Sequence, residues 1–247
     1  MYAMLFATGL VAGLIDAMAG GGGLISVPML LWAGLPPKIA LGTNKLQSSC
    51  GTALAAWRYG RAGLLRWREL RCGLCVTFFS AVLGTMAVTR LGADLLRQII
   101  PALLVGLAVW FWLQPDLGLK RRTARIRPAA FALLFGGVLG FYDGFFGPGT
   151  GSFWTLACVV MLGLDLRAAT GHTKAMNLAS NLASLAVFAA SGNIRYDIGV
   201  VMIAGQLIGA RLGSGLVIAH GARFIRPIFL AVVVVLAARL FWESFTH

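Results

Sequence analysis

Long apolar segments recur from one end of this chain to the other, and they constrain the fold more than any other feature. They cover 73–89, 98–113, 129–142, 152–164, 198–218 and 227–242. Several approach the roughly 20 residues that a helix needs to cross a hydrocarbon core about 30 Å thick. Charged residues make up only 12% of the chain, whereas a soluble domain carries about a quarter. The sequence therefore predicts an all-α polytopic membrane protein.

The distribution of the net charge of +13 also fits a membrane protein. Most of it lies in two clusters between apolar segments: Arg58, Arg61, Arg66, Arg68 and Arg71, then Lys120, Arg121, Arg122, Arg125 and Arg127. Short loops rich in Lys and Arg are typical of the cytoplasmic side of membrane proteins. No platform of aromatic and basic residues stands outside the apolar segments, so a nucleic-acid partner is not expected.

The two halves of the chain carry the same motifs in the same order. "GLIDAMAGGGGLIS" (13–26) aligns with "GFYDGFFGPGTGSF" (140–153), "LGTNKLQSS" (41–49) with "TGHTKAMNL" (170–178), and "GLLRW" (63–67) with "GNIRY" (192–196). Asp16 then matches Asp143, and Lys45 matches Lys174. The near-constant spacing indicates a duplication. We expect a first membrane repeat over 1–115, a basic cytoplasmic linker over 116–127 and a second membrane repeat over 128–247.

Each repeat predicts a Gly-broken helical hairpin followed by three transmembrane helices. The expected hairpin arms are 3–17 and 23–34, then 128–143 and 151–163. The expected helices are 38–57, 69–89 and 93–113, then 167–190, 197–219 and 223–243. A hairpin that re-enters on its own side gives three crossings per half and inverted repeats, whereas a spanning one gives four crossings and parallel repeats. The arms reach only about 17–24 Å at 1.5 Å per residue, which favours inversion.

The positive-inside rule favours inversion as well, by one or two charges. Inverted repeats place both basic clusters together with Arg223 and Arg226 in the cytoplasm. Parallel repeats place Arg223 and Arg226 outside and Arg195 inside.

Glycine-rich breaks inside apolar segments are tolerated where the freed backbone groups are buried in protein or line a wet cavity. The breaks here are Gly20, Gly21, Gly22 and Gly23, then Gly147, Gly149, Thr150 and Gly151 around Pro148. At each break a new helix starts, and its free N–H groups and positive dipole end point at the break. Two equivalent breaks, each four residues after an aspartate, therefore indicate an anion site made from backbone. The alternative is that the glycines only permit close packing.

Lys45 and Lys174 each lie about eight residues into an apolar helix, where a charge costs at least about 2.5–3.5 kcal/mol. Polar side chains share the same turns: Thr43, Asn44, Gln47 and Ser48, then His172, Thr173, Asn177 and Asn181, with Ser26 beyond the first break. A polar stripe in an apolar helix must face a cavity or a partner helix. The alternative to a substrate site is a pair of structural salt bridges, Lys45 with Asp16 and Lys174 with Asp143.

An in-plane pseudo-two-fold axis would bring both breaks and both lysines to one central site. Backbone N–H, ammonium, amide and hydroxyl groups suit a small oxyanion better than a metal ion, which prefers clustered His, Cys or carboxylate ligands. Cys72 and Cys75 form a C-x-x-C pair, but no second pair or nearby histidine completes a metal site. Neither a metal nor another cofactor is predicted.

The whole chain resembles the TauE/SafE sulfite-exporter family of membrane permeases. The resemblance rests on "GLIDAMAGGGGLISVP", "GTNKL", "GFFGPGTGSF" and "GHTKAMNLASN". It implies a bacterial inner-membrane secondary carrier for sulfur-containing oxyanions such as sulfite, sulfoacetate or other sulfonates. It maps the family's motifs onto Asp16, Gly20–Gly23, Asn44 and Lys45, and onto Asp143, Gly147–Gly151, Lys174 and Asn177.

Two other functions stay open at this stage. An anion channel would use the lysines as a filter. An intramembrane enzyme acting on a lipid phosphate would use Ser26, Ser152 and His172 as nucleophile and base, although enzymes rarely need the same site twice, so no catalytic residue is predicted. Asp16 and Asp143 are candidates for carrying a coupling proton. The exact substrate, the direction of transport and the oligomeric state, a homodimer included, stay open.

Overall fold

A computed structural model of the protein describes residues 1–96, 99, 100, 102, 103, 106 and 123–220. These residues are helical and contain no strand, which confirms the all-α prediction. Their long helices are α1 (Tyr2–Ala19), α2 (Gly23–Trp32), α3 (Pro37–Arg61), α4 (Trp67–Arg90), α5 (Pro128–Phe145), α6 (Thr150–Leu162), α7 (Leu166–Ala190) and α8 (Tyr196–His220). The described residues of the expected helix over 93–113 are helical too. The expected helix over 223–243 and most of the linker lie outside the described residues.

Both predicted helix breaks are present, and glycine makes them. The first arm, α1, ends where Gly20 turns left-handed with φ +79°, and the N–H of Gly20 donates to the Asp16 carbonyl. In the second half Gly147 and Gly149 have φ values of +94° and +81°. A residue with a side chain resists this conformation, whereas glycine adopts it freely.

Among the described helices, four are long and apolar enough to cross a membrane: α1, α4, α5 and α8. Large apolar side chains such as Leu83, Leu133 and Val138 are exposed on their outer faces, as a lipid-facing surface requires. The chain is thus a polytopic membrane protein. Helices α3 and α7 have 25 residues each. They carry the polar stripes and lie inside the bundle.

Two buried apolar clusters mark opposite ends of this bundle. The first joins the ends of α1, α3 and α8 to the starts of α4, α5 and α7, and contains Met18, Tyr59, Val217, Leu70, Phe131 and Ala169. The second joins the starts of α3 and α8 to the ends of α4, α5 and α7, and contains Leu41, Ile194, Val88, Phe146 and Phe188. Helices α1, α3 and α8 therefore run in one direction, and α4, α5 and α7 run in the other.

Helix α2 turns back along α1. Its N-cap Gly22 lies beside Asp16, near the end of α1. Its last turn shares a third apolar cluster, containing Leu5, Leu30, Ala40 and Ile198, with the starts of α1, α3 and α8. The first two helices therefore form a hairpin that begins and ends at the same end of the bundle.

The first helix of each half packs through glycines along a helix of the other half, α1 along α8 and α5 along α4. A Cβ added at Gly13 of α1 would lie 2.4 Å from the carbonyl oxygen of Gln206 in α8. One added at Gly144 of α5 would lie 2.1 Å from that of Ala81 in α4. Small residues let membrane helices approach this closely. As a result, the tip of each hairpin is held against the opposite half.

Helices α3 and α7 cross the centre in opposite directions. A Cβ at Gly42, near the start of α3, would lie 2.0 Å from the Asn193 carbonyl oxygen just after α7. At the other end Gly171 of α7 lies against Leu64, just after α3. These two contacts join equivalent positions of the aligned repeats. The structure therefore contains the same contact twice, with the roles of the two halves exchanged.

Candidate functional site

Two ion pairs cross between the halves at the centre of the bundle. Lys45 Nζ lies 2.7 Å from Asp143 Oδ1, and Lys174 Nζ lies 3.0 Å from Asp16 Oδ2. The alternative pairing, Lys45 with Asp16 and Lys174 with Asp143, is therefore wrong. The reason is the packing of α1 and α5, which carries each aspartate to the lysine-bearing helix of the other half.

These four charges are almost completely withdrawn from the protein surface. The Lys45 and Lys174 side chains are 2% and 0% exposed, and those of Asp143 and Asp16 are 5% and 12% exposed. Removing one partner of a buried pair costs about 3–5 kcal/mol because the other charge loses its compensation. Each lysine is therefore held by the opposite aspartate, and the four charges sum to zero.

A small cavity of about 20 Å³ lies between the pairs and the two helix breaks, with room for about one water. Its walls come from both halves. They are formed by Asp16, Gly20, Gly23, Asn44, Lys45, Ser48, Asp143, Gly147, Gly151, Asn177 and Asn181. Eleven of the residues predicted from the sequence thus surround one cavity.

The two breaks touch each other above this cavity. A Cβ added at Gly20 would lie 2.4 Å from Gly151 Cα, and one added at Gly151 would lie 2.4 Å from Gly20 Cα. A Cβ at Gly147 would lie 2.9 Å from Lys45 Nζ. Glycine is therefore required here by close approach as well as by backbone conformation.

Free backbone donors surround the breaks. Helix α2 starts at Gly23 and α6 at Thr150, and neither has a side-chain cap. Among the described residues, the N–H groups of Gly21, Gly22 and Gly23 find no acceptor, and neither do those of Gly149 and Gly151. Uncapped N–H groups at the positive end of a helix dipole favour an anion.

Asn44 presents its amide N–H groups to the same cavity. Its carbonyl Oδ1 accepts hydrogen bonds from Ser26 Oγ at 2.5 Å, Gln47 Nε2 at 3.1 Å and Ser48 Oγ at 3.4 Å. With the acceptor end occupied, Nδ2 is the end left for a ligand. Ser26 and Gln47 therefore orient a donor without lining the cavity themselves.

Comparisons with known proteins show the family to which this chain belongs. Residues 5–240 match the family described as "Sulfite exporter TauE/SafE". The chain belongs to the TauE/SafE family. A "Probable membrane transporter protein" of Haemophilus influenzae is 41% identical over 99% of this chain and 96% of its own length. "Probable membrane transporter protein YfcA" of Escherichia coli is 41% identical over 98% of this chain and 90% of its own length.

A more distant relative is "Probable membrane transporter protein YdhB" of Bacillus subtilis, which is 24% identical over 85% of this chain and 86% of its own length. No solved structure gives a significant match. As a TauE/SafE protein, the chain is a multi-pass membrane transporter and not an enzyme.

Ten of the predicted site residues do not line the cavity of this TauE/SafE protein, among them Thr43, Thr150, His172 and Thr173. Thr43 Oγ1 accepts from the backbone N–H of Arg195 at 3.0 Å, and the Thr173 hydroxyl lies 2.9 Å from that of Thr155. His172 Nδ1 bonds the Ala168 carbonyl at 2.9 Å, and Thr150 donates to the Gly147 carbonyl. Their partners are local or interhelical, so these side chains support the helices around the site.

The sequence analysis missed two supporting residues. Ser180 Oγ donates to Asp143 Oδ2, and Tyr59 donates to the Ala17 carbonyl at 2.7 Å, which holds the end of α1. Ser180 had a signal, because it lies three residues after Asn177 on the face that carries the polar stripe. Tyr59 had no such signal, since its role depends on a contact between α1 and α3 that joins residues 42 positions apart.

Proposed function

We propose that this protein is a secondary transporter, a permease or exporter in a bacterial inner membrane, for small sulfur-containing oxyanions such as sulfite or organosulfonates. The anion binds at the paired glycine breaks, between Lys45 and Lys174. The observation that carries the proposal is the convergence of both breaks and both crossed lysine–aspartate pairs on one cavity.

The donors around the cavity support an oxyanion. Three kinds of N–H donor lie around one small volume: the backbone N–H groups of Gly23 and Gly151, the Asn44 amide and the Lys45 ammonium. Sulfite and sulfonate groups each offer three oxygens that accept hydrogen bonds, and several converging donors satisfy them. The choice of sulfur among oxyanions rests on the family description, because phosphate would use the same donors.

Repeat geometry supports an alternating-access carrier. Equivalent helices of the two repeats, α1 and α5, run in opposite directions, as do α3 and α7. We infer inverted repeats over 1–115 and 128–247, joined by the linker, with the hairpins re-entrant. Inverted repeats with broken helices and a central binding site are typical of secondary transporters. With room for about one water, the cavity is too small for a sulfite or sulfonate group, so the helices around it must move apart before an anion binds.

The first experiment is binding to the purified protein in detergent. We expect a thermal shift with one or more of sulfite, thiosulfate, sulfoacetate and methanesulfonate, and none with acetate. Lys45→Ala and Lys174→Ala should each abolish the shift because each removes an ammonium from the site. Since each also leaves a buried aspartate uncompensated, the matched controls are Lys45→Ala with Asp143→Asn and Lys174→Ala with Asp16→Asn, which keep the site neutral.

Wild-type affinity in both lysine variants would contradict the proposed site. Transport in liposomes then separates the classes of function. The flux through a carrier saturates as the anion concentration rises, and a carrier exchanges anions across the membrane. A channel instead carries a current that follows the voltage. Flux without saturation would contradict the carrier.

A further inference from the structure

The site holds two lysines and two aspartates, so it is neutral before any anion arrives. We propose that the anion takes the place of the Asp16 carboxylate on Lys174 while Asp16 takes up a proton, and that Lys45 and Asp143 stay paired throughout. One proton then moves with each monovalent anion. The proposal rests on the proposed function and names its coupling ion and the residue that carries it.

Charge balance requires a compensating cation. An anion added to a neutral, water-poor site leaves one uncompensated charge, which is strongly unfavourable in a low-dielectric surrounding. A proton on Asp16 leaves two ammonium groups against the Asp143 carboxylate and the anion. Both the empty site with Asp16 ionised and the loaded site with Asp16 protonated are then neutral, so both forms can cross the bilayer centre without moving net charge.

The surroundings of the two aspartates distinguish them. Asp143 is held on both oxygens, by Lys45 on Oδ1 and by Ser180 on Oδ2. Asp16 is held only on Oδ2, by Lys174, and among the described residues no group bonds its Oδ1. Its side chain is also the more exposed, at 12% against 5%. Asp16 is therefore the carboxylate that can exchange a proton with the cavity.

The two lysines also differ in their number of hydrogen-bond acceptors. Lys45 donates to two acceptors, Asp143 Oδ1 and Asn181 Oδ1 at 3.1 Å. Lys174 donates to Asp16 alone among the described residues, so two of its three N–H groups have no acceptor there. Lys174 is fully buried and does not line the cavity, whereas Asp16 does. Asp16 thus stands between the cavity and an ammonium whose other donors are free to bind an anion.

The other titratable groups near Asp16 do not replace it as the proton acceptor. Lys45 and Tyr59 face it from α3, Lys174 from α7, and Asp143 of α5 lies across the cavity. Helix α2 carries no titratable side chain, and Cys158 of α6 lies in an apolar cluster. On α8 the titratable groups are exposed, namely Tyr196, Asp197, Arg211 and His220. Arg58 of α3 lies against Gly215 of α8.

The proton step balances without a further reactant. A hydronium ion from the cavity water gives its proton to an Asp16 oxygen, so one O–H bond breaks and another forms. The neutral carboxyl no longer attracts the Lys174 ammonium, which then donates to an oxygen of the anion. When the anion is released, the proton returns to water and Lys174 pairs again with Asp16.

Proton uptake on binding tests the inference in the intact protein. Calorimetry in buffers of different ionisation enthalpy measures the protons taken up when methanesulfonate binds, an anion with one fixed negative charge from about pH 5 to 8. We expect about one proton per anion and, where one proton is taken up, an affinity that falls about tenfold per pH unit as the pH rises. Asp16→Asn should bring the uptake close to zero and flatten the pH dependence.

Asp197→Asn, which removes an exposed carboxylate outside the site, is the control variant and should keep both the proton uptake and the pH dependence. If it fails to fold, the wild type and Asp16→Asn still decide the matter. Binding without proton uptake in the wild type would overturn this inference and leave the proposed function standing, as would undiminished uptake in Asp16→Asn. A protein that binds neither methanesulfonate nor sulfite at any pH would overturn both.

Discussion

The two crossed ion pairs come from the same duplicated motif, yet their surroundings differ. The Lys45–Asp143 pair has a short contact of 2.7 Å and two supporting side chains, Asn181 and Ser180. The Lys174–Asp16 pair has a contact of 3.0 Å and neither support. Duplication preserved the four charges, whereas divergence of their neighbours left one pair firmly closed and the other free to open.

The repeat alignment gives the physical source of this difference. Ser180 and Asn181 correspond to Gly51 and Thr52 in the first half. Gly51 has no hydroxyl to offer Asp16, and it is packed against Gln206 so closely that an added Cβ would lie 2.5 Å from Gln206 Nε2. Close helix packing therefore occupies the place at which the second half has a hydrogen-bond donor.

The largest effect expected from this comparison follows from removing one lysine at a time. Lys45→Met leaves Asp143 buried without an ammonium and should destabilise the protein by about 3–5 kcal/mol. Lys174→Met should cost less, because the Asp16 side chain is more exposed than that of Asp143, at 12% against 5%. Thermal unfolding in detergent measures both. Equal losses of stability would contradict a difference between the pairs, and Lys45→Met with Asp143→Asn should recover most of the loss.

The two glycine tips offer a second contrast. Alanine at Gly20 or Gly147 incurs about 1–2 kcal/mol of left-handed strain. At Gly20 the new Cβ also meets the Gly151 backbone at 2.4 Å, whereas at Gly147 it meets the ends of the Lys45 and Asp143 side chains at 2.9 and 3.0 Å. Overpacking against backbone adds about 1–3 kcal/mol. Gly20→Ala should therefore lower the folded yield and Tm more, and the reverse order would contradict the tip contact.

Ser180→Ala should make the Lys45–Asp143 pair resemble the Lys174–Asp16 pair. It removes a hydrogen bond to a buried carboxylate, which is worth about 1.5–3 kcal/mol. The stability difference between Asp143→Asn and Asp16→Asn should shrink by a similar amount when both are measured in the Ser180→Ala background. Ser184→Ala, which removes only a hydroxyl bonded to the Ser180 carbonyl in the same helix, is the control and should leave that difference in place.

The smallest effect concerns the orientation of Asn44. Ser26→Ala removes one of three donors to its carbonyl, so the amide is held less firmly toward the cavity. We expect sulfite affinity to fall by about 2–10-fold, the range of a neutral hydrogen bond, with little change in Tm. The second half has Phe153 at the equivalent position, so no matching effect is expected there. An unchanged affinity would contradict an orienting role for Ser26.

Local sequence patterns predicted the helices well. The expected helices 167–190 and 197–219 agree within one residue with α7 and α8. Apolar run length and glycine position determine such boundaries, and both are visible in the sequence. The site was predicted less completely, because neighbouring residues on a helix point about 100° apart. Lys45 and Asn44 therefore line the cavity, whereas Thr43, in the same turn, bonds the backbone of Arg195.

By itself, the sequence predicted that this chain enters a membrane, and it showed that the two halves carry matching motifs, each with a glycine break, an aspartate and a lysine. It did not determine which aspartate meets which lysine. That depended on glycine contacts between α1 and α8 and between α4 and α5, which bring each hairpin tip to the opposite half. Only the tertiary structure decided the crossed pairs and their unequal support, because each pair joins residues that lie 98 or 158 positions apart in the chain.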